Sequence, residues 1–273
     1  MATATASVSL LNTPDLELKS YGEDNDYQAE GKPETYRRSL NLIYRFQDQK
    51  WWIKVTFKGA IHIYPHDVKP EQIKSKRERR KEFQDFVKLI DFQLLPLLDD
   101  TVTEVILNED PETNEHIKLY REPEDTNPFT KLTRHLRFYI REDPSRVIYP
   151  LRQQFPSFRA IDLAELVEED EISDGVFRVL HRSDKIPYIL KVVSRPLYLP
   201  HDSDVIRKEL ENLERFKGVP GVVQSAGIAV FSNPYATSQN SLEQMVISGI
   251  LLEYHKGGSL QRVINKHRVQ EFG

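Results

Sequence analysis

The chain has 273 residues, with 38 lysines and arginines against 42 aspartates and glutamates, for a formal net charge of −4. At 39% apolar and 10% aromatic residues it can bury a core, and the near balance of charge argues against a protein that coats nucleic acid over its whole surface. Cysteine is absent, which removes disulfides, thiolate metal ligands and cysteine nucleophiles. No apolar run reaches the roughly 18–20 residues of a membrane helix. The N-terminus lacks the basic and apolar regions of a secretory signal. A soluble, intracellular chain is expected, cytoplasmic or nuclear, with no membrane partner.

Residues 1–38 carry few apolar anchors and read as a mobile lead-in. From Ser39 the character changes. Leu40, Ile43, Tyr44 and Phe46 precede a polar Gln47-Asp48-Gln49-Lys50, and Trp51, Ile53, Val55 and Phe57 then alternate with Trp52, Lys54 and Thr56, which predicts a hairpin. Residues 60–64 suggest a third strand. Over residues 71–98 the apolar positions Phe83, Phe86, Val87, Ile90, Leu94 and Leu97 recur at helical spacing until Pro96. The first half of that segment is basic, and its interleaved Glu71, Glu78 and Glu82 predict a solvated helix face paired at i,i+4 rather than a nucleic-acid surface. Strand-like stretches follow at 103–107, 116–120 and 136–140. Residues 39–145 are thus expected to form a small α+β module of unknown role, with residues 146–157 as a Pro-punctuated linker.

Beyond the linker the pattern is β-β-β-α-β-β: strands at 161–167, 176–181 and 188–193, a helix at 202–216, and strands at 221–231 and 245–253. Residues 232–244 read as a flexible surface loop. One lysine, Lys191, interrupts the apolar strand Tyr188-Ile189-Leu190-Lys191-Val192-Val193. The helix begins at His201-Asp202-Ser203-Asp204, whose oxygens suit an N-terminus, and carries Glu209 ahead of Leu210, Leu213 and Phe216. The last strand runs into Glu253-Tyr254-His255-Lys256-Gly257-Gly258-Ser259.

This order resembles the N-terminal lobe of the eukaryotic protein-kinase family. Lys191 matches the lysine of the V-A-I-K strand, and Glu209 matches the glutamate of helix C. The resemblance implies that Leu252 is the gatekeeper, that Glu253 and His255 offer backbone groups to an adenine edge, and that Ser259 lies near the ribose. It also implies an ion pair in which a helix carboxylate orients a phosphate-binding lysine. The whole chain is loosely similar to large kinase-like proteins of filamentous fungi. The fold class expected is α+β: the small module, then a kinase-like N-lobe over residues 158–273, an antiparallel sheet with one helix C, its C-lobe absent.

Three departures bear on chemistry. Where the family has a glycine-rich loop, Glu169-Asp170-Glu171-Ile172-Ser173-Asp174-Gly175 supplies only Gly175, as the third glycine, amid acids that repel phosphate. Ile189 replaces the usual small alanine above the adenine. No H-R-D, D-F-G or A-P-E motif follows the hinge, so the base and metal ligands of phosphoryl transfer are missing. The expectation is a non-catalytic, pseudokinase-type interaction or regulatory protein, or a remnant of a longer kinase. It would have no catalytic or metal residues and weak or no ATP affinity. Its vestigial nucleotide site would comprise Gly175, Lys191, Glu209, Glu253, His255 and Ser259. A protein partner, or self-association through the uncovered lobe face, is expected. The alternative is part of an active kinase completed beyond Gly273 or by a partner chain. His62 and His66, four apart in a strand-to-turn region, do not form a metal-binding pair.

Overall fold

In a computed structural model the described residues are 14–24, 35–59, 61, 74–109, 129, 136–183, 185–192, 201–238 and 244–257. The chain divides into two compact units, one of Met1–Arg146 with Pro234–Leu242, the other of Val147–Asn233 with Glu243–Gly273. Each is a mixed α+β unit dominated by strands, with one sheet and, among the described residues, one α-helix.

The first unit holds a five-stranded sheet in the order β1 (Asp15–Glu23), β2 (Arg37–Phe46), β3 (Gln49–Lys58), β4 (Val102–Glu109), β5 (Leu136–Glu142). The expected hairpin forms: Gln47 and Asp48 both take positive φ, 50° and 62°, which matches the right-handed twist of the strands they join. Alternation places Leu40, Leu42, Ile53, Val55 and Phe57 in one buried cluster. Helix α1 (Lys76–Val87) starts at a capping box in which Ser75 accepts from the Glu78 amide and the Glu78 carboxylate accepts from the Ser75 amide. It adds Phe83, Phe86 and Val87 to the cluster, with the Phe86 and Phe57 rings edge to face at 6.1 Å.

Several sequence expectations change here. The lead-in is not mobile through residue 38: Asp15–Glu23 is an edge strand antiparallel to β2, and β2 itself starts at Arg37. The helix ends at Val87 rather than near Pro96. The Asp91 carboxylate accepts from the Gln93 amide and starts a separate 3-10 turn, Phe92–Leu94, so the apolar spacing continues after the helix has stopped. The expected strand at 116–120, and all but Ile61 of that at 60–64, lie outside the described residues.

The second unit holds a six-stranded sheet made of β6 (Ala160–Asp162), β7 (Leu166–Ser173), β8 (Val176–His181), β9 (Pro187–Val192), β10 (Ser225–Ser232) and β11 (Met245–Glu253). Its order is β6-β10-β11-β9-β8-β7, antiparallel except for β6 beside β10. The single strand expected over 161–167 is two, because the Asp162 carboxylate caps the Ala164 amide and opens a 3-10 turn between them. Helix α2 (His201–Arg215) sets Ile206 and Leu210 against Ile228, Val230, Ile247 and Ile250. Asp202 and Asp204 in its first turn and Arg215 in its last complement the helix dipole.

The expected linker is part of this unit. Leu151 bridges Val246, the Pro150 carbonyl accepts from the Ile247 amide at 2.8 Å, and Phe155 and Phe158 join the core. Likewise the described part of the expected surface loop is tied down within the first unit. The Pro234 carbonyl accepts from Trp52 Nε1 at 2.8 Å, and Thr237 and Asp100 exchange two bonds of 2.9 Å. Ala236 and Thr237 are buried there, because a backbone away from water must find its hydrogen bonds inside the protein.

Candidate functional site

The site is built around β9. Lys191 stands between Val176 on β8 and Ile250 on β11, so its side chain shares the sheet face that α2 covers with Ile206 and Leu210. Its ammonium donates to both carboxylate oxygens of Glu209, at 2.6 Å to Oε2. Two residues eighteen positions apart, each an ordinary charge in its own element, thus meet as a half-buried ion pair. The chemistry available is that of a fixed cation, oriented by a carboxylate and open to water on one side.

Gly175 lies at the end of this row. With φ 69° it completes the two-residue turn Asp174-Gly175 between Ser173 and Val176, and its carbonyl accepts from the Val192 amide at 2.9 Å. A tight hairpin turn therefore closes this end of the row. The acids before it, Glu168, Glu169, Asp170 and Glu171, are all exposed on β7, and only Leu166 of that strand is buried. They surround the turn with negative charge.

At the other end, Leu252 and Ile189 are partners across β11 and β9 and both are half-buried. The Glu253 amide is already used, donating to the Gln224 carbonyl at 3.2 Å. His255 is exposed beyond the strand end, and Ser259 lies outside the described residues. The structure thus brings Gly175, Lys191 and Glu209 together, sets Glu253 at the far end of the adjacent strand, and leaves His255 without a place in the cluster.

Arg178, Tyr254 and Gly249 had no sequence signal strong enough to single them out. Arg178 on β8 is the cross-strand partner of Ile189, on the face that bears Lys191. Its guanidinium stands 5.9 Å from the centre of the Tyr254 ring, and its Nε is 3.0 Å from Glu169 Oε2. Hydrogen bonding to Tyr254 first, and the charge of Glu169 second, hold Arg178 above the ordinary arginine value. The space beside Ile189 is consequently bordered by a guanidinium. Gly249 on β11 is the third: a Cβ there would lie 2.5 Å from the Lys191 carbonyl, so only glycine lets β11 run this close to the lysine strand. A glycine inside an otherwise apolar strand was its only trace in the sequence.

Among the described residues no group of three or more His, Cys, Asp or Glu is arranged to hold a metal ion, and no helix is long and apolar enough to cross a membrane. His62 and His66 lie outside the described residues. No protein-family model, curated protein or solved structure matches the chain.

Proposed function

We propose that the second unit is a protein-kinase-like N-terminal lobe that works as a non-catalytic, pseudokinase-type interaction or regulatory module. The observation that carries this reading is the Lys191–Glu209 pair, joining the central strand to the helix as the family resemblance requires. The closed Asp174-Gly175 turn and its exposed acids disfavour a polyphosphate beside that lysine, so the pair serves to hold α2 on the sheet.

An interaction role is supported by the segment that follows α2. Phe216, Val219, Val222 and Val223 are exposed on a turn that the Gln224 side chain staples. Gln224 Oε1 accepts from the Gly218 amide at 2.7 Å and its Nε2 donates to the Val222 carbonyl at 2.9 Å. Apolar side chains held in place at the surface suit a protein partner or a second copy of the chain.

Thermal denaturation of the full chain with and without ATP and Mg²⁺, beside the same measurement on Lys191→Ala, tests the reading. The expected result is no nucleotide-dependent rise in Tm for the unaltered chain, and a lower Tm for the variant in either buffer. A clear rise with nucleotide that Lys191→Ala abolishes would replace the non-catalytic module by a working nucleotide site.

A further inference from the structure

The basic half of α1 does not behave as its sequence spacing predicts. Glutamates at i,i+4 should neutralise it, but the described ones are engaged elsewhere. Glu78 is turned back to the helix start, where its carboxylate accepts from the Ser75 amide and hydroxyl, both at 2.7 Å. Glu82 accepts from Lys74, which precedes the helix, at 2.8 and 3.0 Å. Arg79 turns inward to Glu23 on β1, at 2.7 Å, and Glu71 lies outside the described residues. Lys76, Arg77, Arg80 and Lys81 are left exposed, with no hydrogen bond or ion pair to any described residue.

These four form one stripe. Lys76 with Arg80, and Arg77 with Lys81, are i,i+4 neighbours whose Cβ atoms stand about 5–6 Å apart. Like charges at that spacing destabilise a helix, and Lys76 and Arg77 sit in the first turn, where the helix dipole also disfavours cations. Glu78 in the first turn and the charge of Glu23 acting on Lys76 counter these effects at the helix start, and no ion pair to a described residue does so for Arg77, Arg80 or Lys81. The helix that bears the stripe is firmly held, since its Phe83, Phe86 and Val87 are fully buried.

We propose that this face of α1 binds the phosphate backbone of a nucleic acid. The chemistry separates this partner from others that attract cations. A membrane-surface helix needs apolar residues beside its charges, and α1 exposes no large apolar side chain. A protein interface is centred on aromatic or aliphatic anchors, which are absent here as well. Phosphates need only cations: the two arginines grip phosphate oxygens in pairs and the two lysines act as point charges. With no aromatic side chain on the stripe for a base to stack on, binding is to the backbone and independent of sequence. Two acidic neighbours are engaged elsewhere, Glu78 at the cap and Asp85 with Lys88. The overall charge of −4 does not oppose this, because screening confines the interaction to about a Debye length, roughly 10 Å. This inference concerns the first unit and does not rest on the kinase-like reading of the second.

The test is fluorescence anisotropy of the full chain with a short labelled DNA duplex of mixed sequence, titrated between about 50 and 200 mM salt. Four phosphate contacts give a slope of log Kobs against log salt concentration of about −3.6, at about −0.9 for each contact. Lys76→Gln with Lys81→Gln should bring the slope to about −1.8. Changing all four residues to Gln should abolish binding without lowering the Tm. Arg77→Lys with Arg80→Lys keeps the charges and should retain the slope. No binding at the lowest salt overturns the proposal, as does binding that survives the fourfold change in a chain with an unaltered Tm. Tighter binding to phosphatidylserine vesicles, or to poly-glutamate, than to the duplex, lost with the same four residues, also overturns it in favour of that partner.

Discussion

Among the described residues each unit joins its helix to its sheet with one ion pair, and the two pairs differ in their contact with water. In the first unit Arg79 of α1 meets Glu23 of β1 with side chains only 4% and 2% exposed. In the second, Lys191 of β9 meets Glu209 of α2 with 31% and 27% exposed. Burial decides what such a pair can do. The first is enclosed by Phe83 and by Tyr21, whose hydroxyl also donates to Glu23, and acts as a staple whose loss strands a charge in a dry core. The second exchanges part of its field with solvent and holds α2 to the sheet with a smaller gain in stability.

The comparison breaks most readily at the buried pair. Glu23→Ala should lower stability by about 3–5 kcal/mol in urea denaturation, because the buried Arg79 guanidinium loses its carboxylate. A loss below about 1 kcal/mol would make the two pairs equivalent. Gly249→Ala should follow at about 1–3 kcal/mol, since the new methyl group presses on the Lys191 backbone; an unchanged denaturation midpoint would mean that β9 and β11 can separate freely.

Acid should affect the buried staple next. Burial raises the Glu23 carboxyl, but hydrogen bonds from Arg79 and Tyr21 outweigh it and hold the group below the ordinary value of 4.5. Its contribution is complete above the ordinary carboxylate range and is lost as the pH falls through that lowered folded value. Tm measured from neutral pH downward should therefore fall less steeply for Glu23→Gln than for the unaltered chain. Equal slopes would show that Glu23 does not carry the acid sensitivity. The smallest effect is expected of Lys191→Met, about 1 kcal/mol or less, for a pair that water already reaches. A loss as large as that of Glu23→Ala would make Lys191–Glu209 a staple as well.

The two pairs were unequally legible in the sequence. Lys191 and Glu209 were singled out only by an order of elements that resembles a kinase N-lobe, since each is an ordinary charge in its own element. Glu23–Arg79 gave no such sign: Arg79 is one cation in a basic run, and Glu23 sits in a polar stretch whose strand is held mainly by its neighbour β2. Local alternation sufficed for β2, β3 and the buried side of α1, because the period of apolar residues and the period of the backbone coincide there. Arg178 beside Tyr254, and Trp52 beside Pro234, depend on which strands end up adjacent, which no local period records. The same limit explains the basic face of α1. Spacing alone assigned its glutamates to its lysines and arginines, whereas a cap and a preceding lysine had first claim on them.

The membership of Pro234–Leu242 in the first unit governs how this protein can be dissected. A break after Arg146 divides the chain but not the structure: the amino-terminal fragment would keep Trp52, Lys50 and Asp100 while losing the Pro234 and Thr237 oxygens that receive their protons. The carboxy-terminal fragment would carry a buried segment with nothing of its own to bury it against. Neither half is a fair stand-in for its unit, and a fragment that aggregates would report the cut rather than the protein.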